Sequence, residues 1–314
     1  MSGNDNYLVR ATAHDGLVRA FALDATGAVG ELQRRHGTTH AATAALGRVA
    51  TGALLLGAML KDANHLVTVR VQGGGPGGTL LASANGAGEV RGLIGNPQPD
   101  IRQENDAGKL NVAGVVGTQG QVTVTKDLGL RHPYVGMVEL VSGEIGDDLA
   151  HYLLRSEQIP SAVGIGVFVE PDGSVLAAGG YMIQLLPGVT DVLAGEIEAR
   201  IRALPHPTAM LRAGDSPEAI LDRVFGGGGH QVLARTPVRF ACPCSRDRAE
   251  RAITLLGETP ILEMIDEAGR TGHTELVCEF CRERYLFSPA ELHALLARRR
   301  AGGSAGPAAD PAPP

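Results

Sequence analysis

The chain has no tryptophan, and only 4% of its 314 residues are aromatic. It therefore lacks the ring-rich platform on which single-stranded nucleic acids stack. Positive charge is not in excess either. With 28 Lys and Arg against 34 Asp and Glu, the net charge is −6, which speaks against a basic stripe that tracks a phosphate backbone. The opening stretch "MSGNDNYLVRATAHDG" has no basic segment leading into an apolar one, so no signal peptide is expected. Long apolar runs are missing too. The most apolar, "AATAALGRVATGALLLGAMLK", carries Arg48 near its middle. It falls short of the roughly 20 uninterrupted apolar residues of a membrane span and reads as a buried helix. A cytoplasmic location with no membrane partner follows as an expectation.

Signatures of catalysis are equally sparse. Neither G-x-x-x-x-G-K-[ST] nor G-x-S-x-G occurs, so neither an ATP loop nor a nucleophile elbow is visible. Gly73, Gly75 and Gly78 in "QGGGPGG" satisfy G-x-G-x-x-G, but Pro76 interrupts the loop and the residues after it resemble a returning strand. A glycine hairpin is the better reading. His36 and His40 lie four apart in "HGTTH", but Gly37 stands where a zinc protease needs Glu, so they read as polar residues at a helix start. The chain is not expected to be an enzyme.

What is present falls into three regimes, and the pattern predicts an α+β protein. Residues 1–187 form an N-terminal mixed α/β domain. "HLVTVRVQ" (65–72) and "QVTVTKDL" (121–128) alternate as half-buried strands do, and "PDG" (171–173) marks a hairpin within 163–187. Two helices interrupt the strands, one from about Thr38 or Thr39 to Lys61 with a threonine hydroxyl as cap, the other over 144–160. Residues 188–238 read as a helical linker. Val192, Leu193, Ile197, Ile201 and Leu204 make one apolar stripe, and Ser216-Pro217 opens a helix that Gly226 ends. Residues 239–300 form a small third region, and the Ala/Pro-rich tail 301–314 is expected to be disordered.

Cysteine is scarce, four in the chain, yet all four lie in that third region as "CPC" (Cys242, Cys244) and "CEFC" (Cys278, Cys281). In a reducing compartment such pairs bind metal or sense redox state more often than they form permanent bridges. Two close pairs on separate turns can converge as a tetrahedral four-cysteine site for one Zn2+. Ser245 caps a following helix with Ala249, Ala252, Ile253 and Leu256 on one face, and "TPILEMIDEAG" adds a second with Ile261, Leu262 and Ile265. About sixty residues with so few large apolar ones need a staple, and a structural zinc supplies about 10–16 kcal/mol. Four ligands leave no open position, which disfavours hydrolysis. Arg239, Arg246, Arg248, Arg282 and Arg284 flank the pairs and would favour thiolates, which oxidants can join as disulfides. On chemistry alone an inert structural site and a redox switch both stand, the inert site being the commoner kind.

The stretches "FACPCSRDRAERAITLLG" (240–257) and "ELVCEFCRERYLF" (275–287) resemble the thirty-three-kilodalton heat-shock protein family of redox-regulated holdase chaperones. So do "GDDLAHYLLRSEQIPSAVGIGV", "GGYMIQLLPG" and "VFGGGGHQVL", and the resemblance spans residues 7–293. It implies a chaperone domain, a linker and a zinc domain in that order. It implies Cys242, Cys244, Cys278 and Cys281 as ligands of one Zn2+ in an inactive reduced state. Oxidation would then form Cys242–Cys244 and Cys278–Cys281, release zinc, and unfold the zinc domain and linker. The 192–204 stripe, covered while the zinc module is folded, would be uncovered for unfolding client proteins, held without ATP by a homodimer. The competing reading is a zinc-ribbon nucleic-acid module. Residues 242–300 hold nine Arg and ten Asp or Glu with no Lys, which gives that reading no basic face.

Overall fold

A computed structural model describes residues 6–106, 108–227 and 229–302. The chain divides into two compact units at the Cys242–Pro243 bond, inside the first cysteine pair. The first unit begins with β1 (Tyr7–Ala13), β2 (Val18–Asp24), α1 (Thr26–His36) and α2 (His40–Gly57). It continues through β3 (Leu66–Gln72), β4 (Leu80–Asn85), β5 (Glu89–Ile94), α3 (Val112–Val116), β6 (Gln121–Asp127) and β7 (Tyr134–Glu139). After α4 (Gly146–Arg155) come β8 (Ser161–Val169), β9 (Val175–Leu185), α5 (Asp191–Ala203), α6 (Pro207–Arg212), α7 (Pro217–Phe225), β10 (His230–Pro237) and β11 (Arg239–Phe240). Two sheets result, ordered β10-β1-β2-β9-β8 and β11-β5-β4-β3-β6-β7, antiparallel throughout except where β11 joins β5. The α+β reading stands.

The alternating segments fold as their period dictates. In β3 Val67, Val69 and Val71 are buried while Arg70 and Gln72 are exposed. β8 and β9 pair across the "PDG" turn, where Gly173 takes a φ of 89° that disfavours any side chain. The glycine run 73–78 is a hairpin connection, since Val71 lies opposite Leu80 in the β3–β4 ladder, and no helix follows it.

The apolar run became α2, which packs its whole length against strands of both sheets. Its Ala and Gly content has a steric reason. A Cβ on Gly52 would sit 2.2 Å from Leu149, and one on Gly47 2.6 Å from Val29. Arg48 leaves this core by reaching the Glu144 carboxylate at 2.5 Å. The expected threonine cap is corrected. Thr39 occupies the cap position without a side-chain bond, and Thr38 Oγ1 instead meets Thr43 Oγ1 at 2.6 Å. His36 ends α1 and His40 begins α2, each on a backbone carbonyl, Gly92 and Glu170 respectively, so they form no shared site.

The segment after β9 departs most from expectation. It contains a strand as well as helices, because β10 pairs with β1 as the edge of the five-stranded sheet. Helices α5, α6 and α7 pack on that sheet's outer face. Ile197, Met210, Ile220, Leu221, Val224 and Phe225 share one buried cluster with Val9, Val18, Ala20, Ala22, Tyr181 and Ile183. The stripe at 192–204 is therefore covered by the first unit's own sheet. Ile197 is buried, Leu193, Ile201 and Leu204 are partly so, and Val192 stays 73% exposed.

The second unit holds α8 (Arg246–Leu255), α9 (Glu258–Thr271), β12 (Thr274–Val277), β13 (Arg284–Phe287) and α10 (Pro289–Gly302). Its core is Ala249, Ile253, Ile261, Ala268, Phe287, Leu292, Leu295 and Leu296. Of the faces read from sequence, Ala249, Ile253 and Ile261 are buried, whereas Ala252, Leu256 and Leu262 are exposed. Most of the expected disordered tail, 303–314, lies outside the described residues.

At the end of the first unit, β10 and β11 strap the edges of the two sheets. Val238 N donates to Asn6 O and Arg239 N to Gly88 O, the latter at 3.0 Å. Gly88 has a φ of 80°, and a Cβ there would fall 2.1 Å from Pro237 O. Gly88→Ala is expected to cost at least about 1–2 kcal/mol from the left-handed backbone alone. The loss should appear as faster amide exchange over 230–241, with exchange in α2 little changed.

Candidate metal centre

Local sequence places each cysteine pair on a turn. Ser245 Oγ accepts from Arg248 N and starts α8 directly after Cys244, so "CPC" forms the entry to a helix. The second pair occupies the β12–β13 hairpin. Cys278 N donates to Glu283 O at 2.9 Å and Arg282 N to Cys278 O at 2.8 Å. Arg282 takes a φ of 59°, a cost of about 1 kcal/mol or more that the tight turn imposes. Turning there brings Cys281 back beside Cys278.

The structure brings all four predicted sulfurs together. They lie within 4.8 Å of one another, and none is in a disulfide. Cys281 is buried and the other three are half-buried. Four thiolates at about 2.3 Å from a zinc ion sit about 3.8 Å apart at the corners of a tetrahedron, so the cluster has the size and the donor chemistry for that ion. Cys244 Sγ and Cys281 Sγ, from opposite pairs, lie closer than that, at 3.1 Å. No fifth protein donor belongs to the cluster among the described residues.

Two neighbours were not anticipated in their roles. Tyr285 on β13 donates its phenol to Cys244 Sγ at 3.3 Å. That bond, followed by burial, pushes the phenol well above its ordinary range. Arg246 lays its guanidinium 4.5 Å over the Phe287 ring, donates to Leu286 O at 3.0 Å and pairs with Glu291 at 2.6 Å. It ties the start of α8 to β13 and α10.

Four of the five arginines expected to favour thiolates have carboxylate partners. Arg239 pairs with Glu89 at 2.5 Å, Arg246 with Glu291 at 2.6 Å, Arg282 with Glu279 at 3.7 Å and Arg284 with Glu275 at 2.9 Å. Carboxylates thus compensate most of the positive charge near the pairs, and metal would be the main stabiliser of four thiolates at one point. No helix among the described residues is long and apolar enough to cross a membrane.

Comparisons with known proteins agree with this geometry. A family model described as Hsp33 protein matches residues 6–288. The 33 kDa chaperonin of Bacillus subtilis (strain 168) is 50% identical over 290 residues, covering 92% of this chain and 98% of its own. That of Listeria monocytogenes serotype 4a is 46% identical over 291 residues, covering 92% and 98%. The crystal structure of the 33 kDa chaperonin (heat shock protein 33 homolog) from Thermotoga maritima superposes with a TM-score of 0.87. It is 34% identical, over 95% of this chain and all of that one.

Arg246→Ala is expected to destabilise the second unit by about 1–2 kcal/mol, from a stacked cation and two partly exposed polar contacts. Thermal unfolding followed by amide exchange in 243–302 reads the loss. Arg246→Lys should recover less than half of it, because an ammonium cannot stack and fork as a guanidinium does.

Proposed function

The chain belongs to the Hsp33 protein family, and on that premise we propose that it is a redox-regulated chaperone that holds unfolding polypeptides without ATP. The observation that carries the reading is the convergence of four thiol sulfurs, two from each of two turns, within 4.8 Å. In the reduced state Cys242, Cys244, Cys278 and Cys281 would hold one Zn2+ as thiolates. Bound zinc would supply the cross-link between the two turns, a contribution of about 10–16 kcal/mol to folding of so small a module.

Oxidation removes the donors in pairs. In Cys242–Cys244 and in Cys278–Cys281, two thiolates give up two electrons to a peroxide, which leaves as two hydroxide ions while the S–S bond forms. A bridged pair no longer offers two thiolates, so the donor set that fixes the turns is gone. What remains is a core of eight buried side chains, two of them alanine, too little to fold alone.

Chain continuity carries the loss toward the first unit. Ala241 alone separates β11 from Cys242, and β10 and β11 are edge strands with one partner each. Freed at its C-terminal end, the 188–238 region acts as the switch, and α5–α7 lift from the sheet. This exposes two apolar surfaces together, the stripe of Leu193, Ile197 and Ile201 and the sheet face of Val9, Val18 and Ile183. Contiguous apolar surface is what a client-binding protein needs. In this reading residues 1–187 are the chaperone domain and 239–300 the redox domain. The active form is a homodimer in the cytoplasm, without catalysis and without nucleic-acid or membrane partners. The nucleic-acid alternative is not favoured.

Peroxide at raised temperature should release one zinc per chain and, in the same sample, suppress aggregation of a heat-denatured client. Zinc release without suppression sinks the switch. Cys278→Ser is expected to lower zinc affinity by at least about tenfold and to melt 243–302. Unchanged metal content and helicity would remove Cys278 from the ligand set.

A further inference from the structure

One hydroxyl beside the cluster has no part in holding an ion or forming a disulfide. Tyr285 sits on β13 four residues after Cys281, half-buried, its ring packed against the core that contains Phe287. Its phenol oxygen lies 3.3 Å from Cys244 Sγ and donates to it.

The geometry points to Tyr285 as a positioning residue that restrains the oxidation of Cys244, an inference that rests on the thiolate reading of the site. In the step concerned, the Cys244 sulfur lone pair attacks one oxygen of hydrogen peroxide. An S–O bond forms, the O–O bond breaks and hydroxide leaves. The Cys242 thiolate then attacks the sulfenic sulfur, forming the S–S bond as a second hydroxide leaves. Two electrons pass from the sulfurs to the peroxide. The phenol O–H stabilises the lone pair that the first attack must use, and a more stabilised thiolate is a weaker nucleophile. Hydrogen bonds to metal ligands are a general means of such tuning. The hydroxyl also occupies one direction of approach to the sulfur. Cys244 would thereby wait for strong oxidant rather than respond to background peroxide.

Tyr285→Phe removes the O–H and keeps the ring's packing, so a purely structural role predicts no change. In the full-length, reduced, zinc-loaded protein, Y285F should raise the second-order rate of Cys244 oxidation by peroxide roughly two- to tenfold, the factor one hydrogen bond commands. The readout is alkylation and mass analysis of the Cys244 peptide, with the Cys278 peptide in the same digest as the internal comparison. Substituting cobalt for zinc gives a second measure, since the thiolate charge-transfer bands should shift in Y285F. Equal Cys244 rates and unshifted bands overturn the inference while leaving the zinc site intact. A wild-type protein that binds no zinc overturns both readings. Should Y285F fail to retain metal, 3-fluorotyrosine placed at position 285 decides. A stronger donor of the same shape should slow Cys244 oxidation, and an unchanged or faster rate overturns the role.

Discussion

Everything in the second unit depends on four sulfurs meeting at one point. A tetrahedral set of thiolates is repulsive without a cation, and here four of the five nearby arginines are engaged by Glu89, Glu291, Glu279 and Glu275. As thiolates the four sulfurs therefore call for a metal ion, and as oxidised pairs they would form disulfides. Each alternative has a different consequence for chain geometry. A metal ties the "CPC" turn to the "CEFC" turn across the whole of residues 245–277, whereas local disulfides tie each turn only to itself. A long loop closed by a cross-link gains far more from it than a two- or three-residue one. On the proposed reading, oxidation would exchange a cross-link that stabilises the fold for two that do not.

That exchange matters because the module has so little else. Its core is small, and several apolar side chains stay outside it, among them Leu255 at 83% exposure. The first unit is built on the opposite principle. Helix α2 is buried along its length between two sheets, with Ala and Gly where any larger residue would collide. Close packing of that kind resists partial unfolding. The α5–α7 layer stands between these extremes. It buries Ile197, Met210, Ile220 and Phe225 on the sheet, but it is held at its far end by edge strands alone. On the proposed reading a scaffold, a removable cover and a metal-dependent latch would follow one another along the chain in order of decreasing independent stability.

The convergence of four cysteines was legible in the sequence, because C-x-C and C-x-x-C spacing carries chemistry irrespective of what packs around it. The strands β3 and β6 were legible because their apolar period is two, β8 and β9 because "PDG" marks the turn between them, and α7 because Ser216, Pro217 and Gly226 mark both its ends. What was missed depended on partners far away in sequence. Helix α1 has Ala25 at its N-cap, without a side-chain cap, and includes Gly27 and Gly30, so local signals argue against it. The alternation in β10 is real, yet its half-buried positions are His230, Val232, Ala234 and Thr236, too polar to announce a strand before β1 pairs with them. The cover of the 192–204 stripe, and the pairing of Arg239 with Glu89 across 150 residues, are likewise properties of the assembled fold. Tyr285 lies in the quoted "CRERYLF", but only the β12–β13 register turns its phenol to Cys244.

The position of the first cysteine adds a constraint to the spacing of the pairs. An inert ribbon needs four ligands but places no demand on where the chain goes before them. Here the residue before Cys242, Ala241, still donates from its backbone to Val90 O in the six-stranded sheet. Cys242 is thus a single peptide bond from a residue bonded to the sheet. Loss of order in the second unit would pass along the chain through that bond, and the first element it meets is β11, a two-residue strand with one partner. Beyond β11 lies β10, whose register against β1 already shifts between Arg10 and Ala11. Short edge strands with an irregular ladder are the least costly elements of a sheet to detach. On the proposed reading, a redox event confined to four side chains would therefore meet its weakest barrier along the path that leads to the covered apolar face.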